Sequence, residues 1–104
     1  MRSIKSLILS DCHLGDRGVR ALVEQLDEHT ALDILDLSGN QIGQSPYFRD
    51  SAPVLCSYLQ KQTQLSELNL SHNMLRGPLG LAICDTISQH PSITKLELSN
   101  NFLG

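Results

Sequence analysis

One pattern of leucines and isoleucines occurs four times along the chain and predicts the same short element each time. The clearest copy runs from Leu65 to Leu75 and reads LSELNLSHNML. The other copies read IKSLILSDCHL from Ile4, LDILDLSGNQI from Leu32 and ITKLELSNNFL from Ile93. Alternation of apolar and polar residues is typical of a strand with one buried face. The asparagine that follows suits a turn, because its side chain can hydrogen-bond nearby backbone.

A second pattern, in which core-facing positions lie four residues apart, follows each of the first three strands. Residues four apart share one face of a helix, so the pattern predicts helices over about 16–28, 50–62 and 78–89. Pro78 is expected in a first helical turn, and Pro53 near a helix start, where its missing N–H is tolerated. The positions of the pattern are Gly18, Leu22 and Leu26, then Ser51, Leu55 and Leu59, then Leu79, Ile83 and Ile87.

Strand and helix together form a repeat, and we predict repeats over about 4–31, 32–64, 65–92 and 93–104. Successive starts are 28, 33 and 28 residues apart, so the second repeat carries an insertion of five residues. Repeated strand–helix units build a parallel sheet with right-handed crossovers. One unit cannot bury its own apolar face, whereas stacked units bury a continuous core. The sequence therefore predicts one domain of the α/β class, a right-handed β-α solenoid.

These repeats resemble the leucine-rich repeat, since residues 65–75 read Leu-x-x-Leu-x-Leu-x-x-Asn-x-Leu. Their length is similar to that of the ribonuclease-inhibitor-like subfamily, which is also found in NOD-like receptors and in the GTPase-activating proteins of Ran. The resemblance implies a segment of a horseshoe, with the parallel sheet on its concave face and the helices on its convex face. It also implies protein partners.

The fourth repeat is truncated, because the chain stops at Gly104 after the strand and turn, without the following helix. Neither end carries a polar capping element. Solenoids need such caps for solubility, and uncapped strand edges invite pairing. We expect a piece of a longer array, whose ends are covered by the rest of the parent chain or by another subunit.

The resemblance implies that partners bind to the concave face, through residues that lie between the leucines. Three columns are expected there: Ser6, Ile34, Glu67 and Lys95; Ile8, Asp36, Asn69 and Glu97; Ser10, Ser38, Ser71 and Ser99. From these columns we assign partner binding to Ile34, Asp36, Glu67, Asn69, Lys95 and Glu97. The alternative is a solvated sheet face, because these columns lack the aromatic and arginine anchors of usual binding hot spots.

The insertion in the second repeat gives another candidate contact site. It lies within residues 43–50, here called the insertion loop, and holds two of the four aromatic residues of the chain. Tyr47, Phe48 and Arg49 are adjacent there, and Tyr and Arg are favoured at binding hot spots. The alternative is that Phe48 tucks under the loop and covers the edge of the core.

Composition narrows the classes of partner and the compartment. The chain has a formal net charge of -3 and no basic run, which argues against nucleic acid as a partner. No apolar stretch reaches the roughly 18 residues that span a membrane. Three cysteines are an odd number, which argues against a disulfide framework and favours a reduced, cytoplasmic setting. With only 4% aromatic residues, the core is expected to be aliphatic.

No arrangement of residues indicates a catalytic site, a cofactor or a metal. The chain has neither a glycine-rich phosphate loop nor a recognisable nucleophile motif. His29 and His90 are expected at helix C-termini, where a charged imidazole favours the helix dipole. A structural ladder of side-chain hydrogen bonds is expected from Asn40, Asn73 and Asn101. Structural roles are also expected for Cys12, Cys56 and Cys84.

These observations favour a non-enzymatic scaffold for protein–protein interaction. Two alternatives stay open. One is a structural subunit of a large cytoskeletal or ciliary assembly. The other, suggested by the resemblance to Ran-directed members, is a GTPase-activating protein in which Arg76 contacts the GTPase.

Overall fold

The computed structural model describes residues 5–29, 32–46 and 48–102, and strands alternate with helices throughout them. Each short strand is followed by a turn, and each of the first three turns leads into a helix. The elements in chain order are β1 (Ser6–Ile8), α1 (Gly15–His29), β2 (Ile34–Asp36), α2 (Phe48–Lys61), β3 (Glu67–Asn69), α3 (Gly77–Ser88) and β4 (Lys95–Glu97).

The four strands form one parallel sheet in the order β1-β2-β3-β4. Strands that are consecutive in sequence are neighbours in space, and one helix lies in the connection between each pair of them. The register pairs Leu35 with Leu68, and Leu68 with Leu96. The predicted solenoid is therefore confirmed, with the leucines of successive repeats side by side.

The helices form a second layer, in which α1 packs on α2 and α2 packs on α3. All three predicted helices are present, and their ends differ from the predicted ones by one or two residues. The expected position of Pro53 was wrong, because it lies inside α2, beyond the first helical turn. Pro53 and Arg49, one turn earlier, are both exposed. Water can therefore bind the carbonyl of Arg49, which lacks its usual N–H partner because residue 53 is a proline.

The core lies between the sheet and the helices and is densest in the two middle repeats. Leu68 in β3 is only 1% exposed, because repeats on both sides cover it. Its equivalent in β4, Leu96, is 40% exposed. Most of the buried side chains are aliphatic, as predicted, but two aromatic side chains, Phe48 and Tyr58, also belong to this core.

The expected asparagine ladder is present and joins each turn to the turn of the preceding repeat. The Oδ1 of Asn40 accepts the N–H groups of Cys12 and Leu14, at 3.0 and 3.2 Å. The Oδ1 of Asn73 accepts the N–H groups of Asn40 and Ile42, at 2.9 and 3.0 Å. Both asparagines are buried.

The same side chains also donate hydrogen bonds, from their Nδ2 groups to backbone carbonyls at the strand ends. Asn73 donates to Leu37 of the preceding repeat and to Leu70 of its own, both at 3.0 Å. Asn101 continues the pattern, because its Oδ1 accepts the Leu75 N–H at 3.0 Å. Backbone groups of the turns thus find partners inside the protein, as buried polar groups require.

Candidate protein-interaction surface

The register brings the predicted columns of the concave face together. Ser6 pairs with Ile34, Ile34 with Glu67, and Glu67 with Lys95. The second column is aligned in the same way, from Ile8 to Glu97. A shallow depression of about 260 Å³ lies on this face, and its lining includes all six residues assigned to partner binding, Ile34, Asp36, Glu67, Asn69, Lys95 and Glu97, together with Ile8.

Two of these residues also hold the ends of their own strands. The Oδ1 of Asp36 accepts the N–H and the hydroxyl of Ser38, at 2.9 and 2.7 Å. The Oδ1 of Asn69 accepts the same two groups of Ser71, at 2.9 and 2.6 Å. These local bonds stabilise the turn after each strand. They also fix the orientation of the side chains that line the depression.

The charged side chains Glu67, Lys95 and Glu97 form no salt bridge within 4.0 Å in the part of the chain that the structure describes. Glu67 and Lys95 are adjacent in register, and Glu97 follows Lys95 on the same strand face. The salt bridge found within 4.0 Å among the described residues joins Arg20 to Glu24, on the helical side. With Asp36, three carboxylates and one ammonium group therefore face outward, so the face is acidic.

An apolar patch adjoins these charges, and it combines Ile34, which was assigned to partner binding, with Ile8, which was not. Ile8 is 61% exposed at a position where the later repeats carry Asp36, Asn69 and Glu97. Ile34 lies diagonally next to it and is half-buried. An isoleucine on the outward face of a strand was the signal in the sequence, because the pattern elsewhere places polar residues there.

The insertion loop does not present the expected three-residue contact site. Phe48 is 3% exposed and belongs to the core, so it covers the core edge, which was the alternative interpretation. An aromatic side chain gains more by this burial than by exposure to water. Arg49 is exposed. Tyr47 lies outside the described residues.

A buried carboxylate holds the insertion loop, and sequence reasoning missed it. Asp16, in the first turn of α1, is 3% exposed. Its Oδ1 accepts the N–H of Gly43 at 2.8 Å and the hydroxyl of Ser51 at 3.0 Å. Its Oδ2 accepts the N–H and the hydroxyl of Ser45, at 3.1 and 2.9 Å. Hydrogen bonds to an ionised group are the stronger kind, so Asp16 fastens the loop to α1 and α2.

Arg76 is engaged within the protein. Its Nε donates to the carbonyl of Gly43 at 2.7 Å, and the residue forms the N-cap position of α3. Gly43 has a φ of +98°, and a Cβ there would collide with the Met74 carbonyl oxygen. Arg76 therefore links the insertion loop to the third repeat, which favours a structural role over contact with a GTPase.

His90 caps a helix, although not in the expected way. Its Nε2 lies 2.8 Å from the carbonyl oxygen of Leu59, in the last turn of α2 rather than α3. Its Nδ1 accepts the N–H of Ser92 at 3.2 Å, so the ring proton must lie on Nε2. The imidazole thus bridges two repeats. The side chain of His29 lies outside the described residues.

The thiols and acidic groups of the described residues form no cluster that could hold a metal ion. Cys12, Cys56 and Cys84 are free. Burial raises the pKa of the Cys84 thiol above its ordinary value, which lowers its thiolate fraction at neutral pH and with it its reactivity. Within the described ranges, no three His, Cys, Asp or Glu side chains lie close enough to hold a metal ion. No helix among these residues is long and apolar enough to cross a membrane.

Comparison with known proteins agrees with the repeat architecture. A family model described as Leucine Rich repeat matches residues 1–23 and 29–45, and another, described as Leucine Rich Repeat, matches residues 64–85. The chain is also similar to Tonsoku-like protein of Bos taurus, with 42% identity over 85 residues. This match covers 81% of the chain but only 6% of that protein. The matched residues include β1, β2 and β3, which share one register and one asparagine ladder. The chain therefore belongs to the leucine-rich-repeat family.

Proposed function

We propose that the chain is a non-enzymatic protein-interaction scaffold that binds its partner through the concave face. Leucine-rich repeats are in general modules of this kind, and solenoid curvature creates extended binding surfaces. The observation that carries the proposal is the combination of charged side chains outside any salt bridge among the described residues and an exposed aliphatic patch in one depression. Glu67, Lys95 and Glu97 supply the charges, and Ile8 supplies the patch.

Rigidity supports this proposal. The side chains of the concave face project from the strands of one parallel sheet, in which β2 and β3 are paired on both sides. Sites on such elements are held more accurately than sites on loops. A partner therefore meets a preformed surface and loses little free energy in ordering it.

The chemistry of the face also suggests what it binds. An apolar side chain of the partner would lie against Ile8 and Ile34, and a Lys or Arg would lie near Glu67 and Glu97. Complementary charge increases the rate of association and excludes partners of the same sign. The three free cysteines support a reduced, cytoplasmic setting for this encounter. Repeat spacings of 28 and 33 residues support membership of the ribonuclease-inhibitor-like subfamily.

Affinity purification with the chain as bait tests this proposal. A double charge reversal, Glu67→Lys with Glu97→Lys, should abolish recovery of proteins that the unmodified chain retains. The matched control is Glu24→Lys with Asp85→Lys, which makes the same change of charge at exposed positions on helices. Equal recovery of the same proteins by the concave-face variant, with its circular dichroism unchanged, would show that the concave face is not the binding site.

A further inference from the structure

Ser45 stands directly before Pro46 in the insertion loop. In the whole sequence, it is the only serine or threonine followed by proline. Gln44 and Pro46 are exposed, and Ser45, which lies between them in the sequence, is half-buried. A serine followed by proline in a surface turn is the type of site that proline-directed protein kinases use.

The contacts of Ser45 connect this turn to the buried carboxylate and to the start of a helix. Its N–H and its hydroxyl both donate to the Oδ2 of Asp16, at 3.1 and 2.9 Å. Its carbonyl accepts the N–H of Phe48, the first residue of α2, at 3.0 Å. A change at the Ser45 hydroxyl therefore acts on Asp16 and on the position of Phe48.

We propose that Ser45 is a phosphorylation site for a proline-directed protein kinase, and that phosphorylation releases the insertion loop from Asp16. In the reaction, the Ser45 oxygen attacks the γ-phosphorus of ATP. A bond from Oγ to phosphorus forms while the bond from that phosphorus to the bridging oxygen breaks, and ADP leaves. The hydroxyl proton passes to the catalytic aspartate of the kinase.

Electrostatics explains the release. A phosphoserine carries about -1.5 to -2 charges at neutral pH. The phosphate replaces a hydroxyl that donated a hydrogen bond to a buried carboxylate, so an attraction becomes a repulsion between like charges. Repulsion is strong in this position, because Asp16 is almost fully excluded from water. Movement of the loop away from Asp16 relieves this repulsion and also removes the acceptor of the Gly43 N–H.

Access to the Ser45 hydroxyl depends on the same contacts. Hydrogen bonds to Asp16 and Phe48 help to hold the residue, and local opening of a surface loop requires much less free energy than global unfolding. A kinase captures the open form. The proposed switch operates whether or not the concave face binds a partner.

Incubation of the full chain with a purified proline-directed kinase and ATP tests the site. Mass spectrometry should find a single phosphate, at Ser45, and none in Ser45→Ala. Weakening the loop attachment in Asp16→Asn should raise the initial rate of phosphorylation. Ser51→Ala removes one hydrogen bond from Asp16 and should raise it less, which keeps the test valid if Asp16→Asn does not fold. Absence of phosphate from both the unmodified chain and Ser51→Ala would overturn the proposal.

Hydrogen exchange of the phosphorylated chain tests the release. The amides of Gly43 and Ser45 should exchange at least about tenfold faster than before, because they lose a charged acceptor. The amides of Leu37 and Leu70, which donate to neighbouring strands, should be unchanged. Unchanged exchange at Gly43 and Ser45 would overturn the proposed release. Equal acceleration at Leu37 would also overturn it, since that result means global destabilisation.

Discussion

At the scale of single residues, polar side chains with several backbone partners do much of the structural work. Asn73 uses both ends of its amide, and Asp16 uses both carboxylate oxygens. Both side chains are buried, so every hydrogen bond they make also prevents a backbone or hydroxyl group from being left unpaired. Removal of one such side chain orphans several groups together, which costs more than loss of one exposed hydrogen bond.

We expect Asn73→Ala to destabilise the protein by about 1–3 kcal/mol or more, because two N–H groups lose their acceptor in a buried position. Urea unfolding followed by circular dichroism measures this change. Asn101→Ala serves as the comparison, since Asn101 is only half-buried. A cost for Asn73→Ala no larger than that for Asn101→Ala would contradict the role assigned to the ladder.

The cysteines should differ in reactivity. Cys12 is exposed, whereas burial raises the pKa of Cys84 and leaves fewer thiolates there at a given pH. Thiolate is the reactive form, so Cys12 should be alkylated by iodoacetamide at neutral pH well before Cys84. As the pH rises toward the raised pKa, the rate at Cys84 should increase. Mass spectrometry of partly alkylated protein gives both rates, and faster modification of Cys84 at neutral pH would refute the argument.

At the scale of elements, the same leucine position carries different weight in different strands. We expect Leu68→Ala in β3 to cost about 2–5 kcal/mol, as for other fully buried leucines. Leu96→Ala in β4 should cost less than about half as much, since that side chain is partly in water already. Denaturant midpoints of the two variants provide the comparison. Similar losses would mean that β4 is as well covered as β3.

Sequence periodicity predicted the elements well because it reflects local geometry. Alternation at Leu68 and Leu70 requires a strand, and four-residue spacing at Ile83 and Ile87 requires a helix face. The concave columns followed directly, since repeats of known spacing place equivalent residues side by side. The spacing did not show how deeply each position is buried, and Leu79 in the third helix is only partly buried against the core.

Contacts that depend on the insertion loop could not be predicted in the same way. The loop occurs in one repeat only, so no second copy shows how it folds. The partners of Asp16 lie 27 to 35 residues away in sequence, and no periodicity links them. Phe48 was open to two interpretations for the same reason, because its burial depends on where that loop turns. The imidazole of His90 likewise contacts the helix of the preceding repeat, whereas the His90 N–H bonds to its own helix at Ile87.

At the scale of the whole molecule, the repeats form a stack whose two sides differ. In the second repeat, Leu37 and Gly39 donate their N–H groups to carbonyls of the third repeat, those of Asn69 and Ser71, at 2.9 and 3.0 Å. Leu98 and Asn100 occupy the equivalent positions beside β4, where the described residues provide no further strand. Within the described ranges, β2 and β3 are thus paired on both sides, whereas no strand pairs with the outer edge of β1 or of β4.

Amide exchange should reveal this difference. We expect Leu37 and Gly39 to be protected and Leu98 and Asn100 to exchange rapidly, because protection follows hydrogen bonding and burial. Two-dimensional NMR in deuterium oxide resolves these amides individually. Slow exchange at Leu98 in a monomeric sample would show that the edge beside β4 is covered.

The asparagine ladder also determines the order in which the repeats can complete their hydrogen bonds during synthesis. Asn40 accepts the N–H groups of Cys12 and Leu14, and Asn73 accepts those of Asn40 and Ile42, so each turn depends on an amide that comes later in the chain. A ribosome delivers the earlier turn first, and its amides stay hydrated until the next repeat emerges. Completion of the fold during synthesis must therefore lag one repeat behind translation.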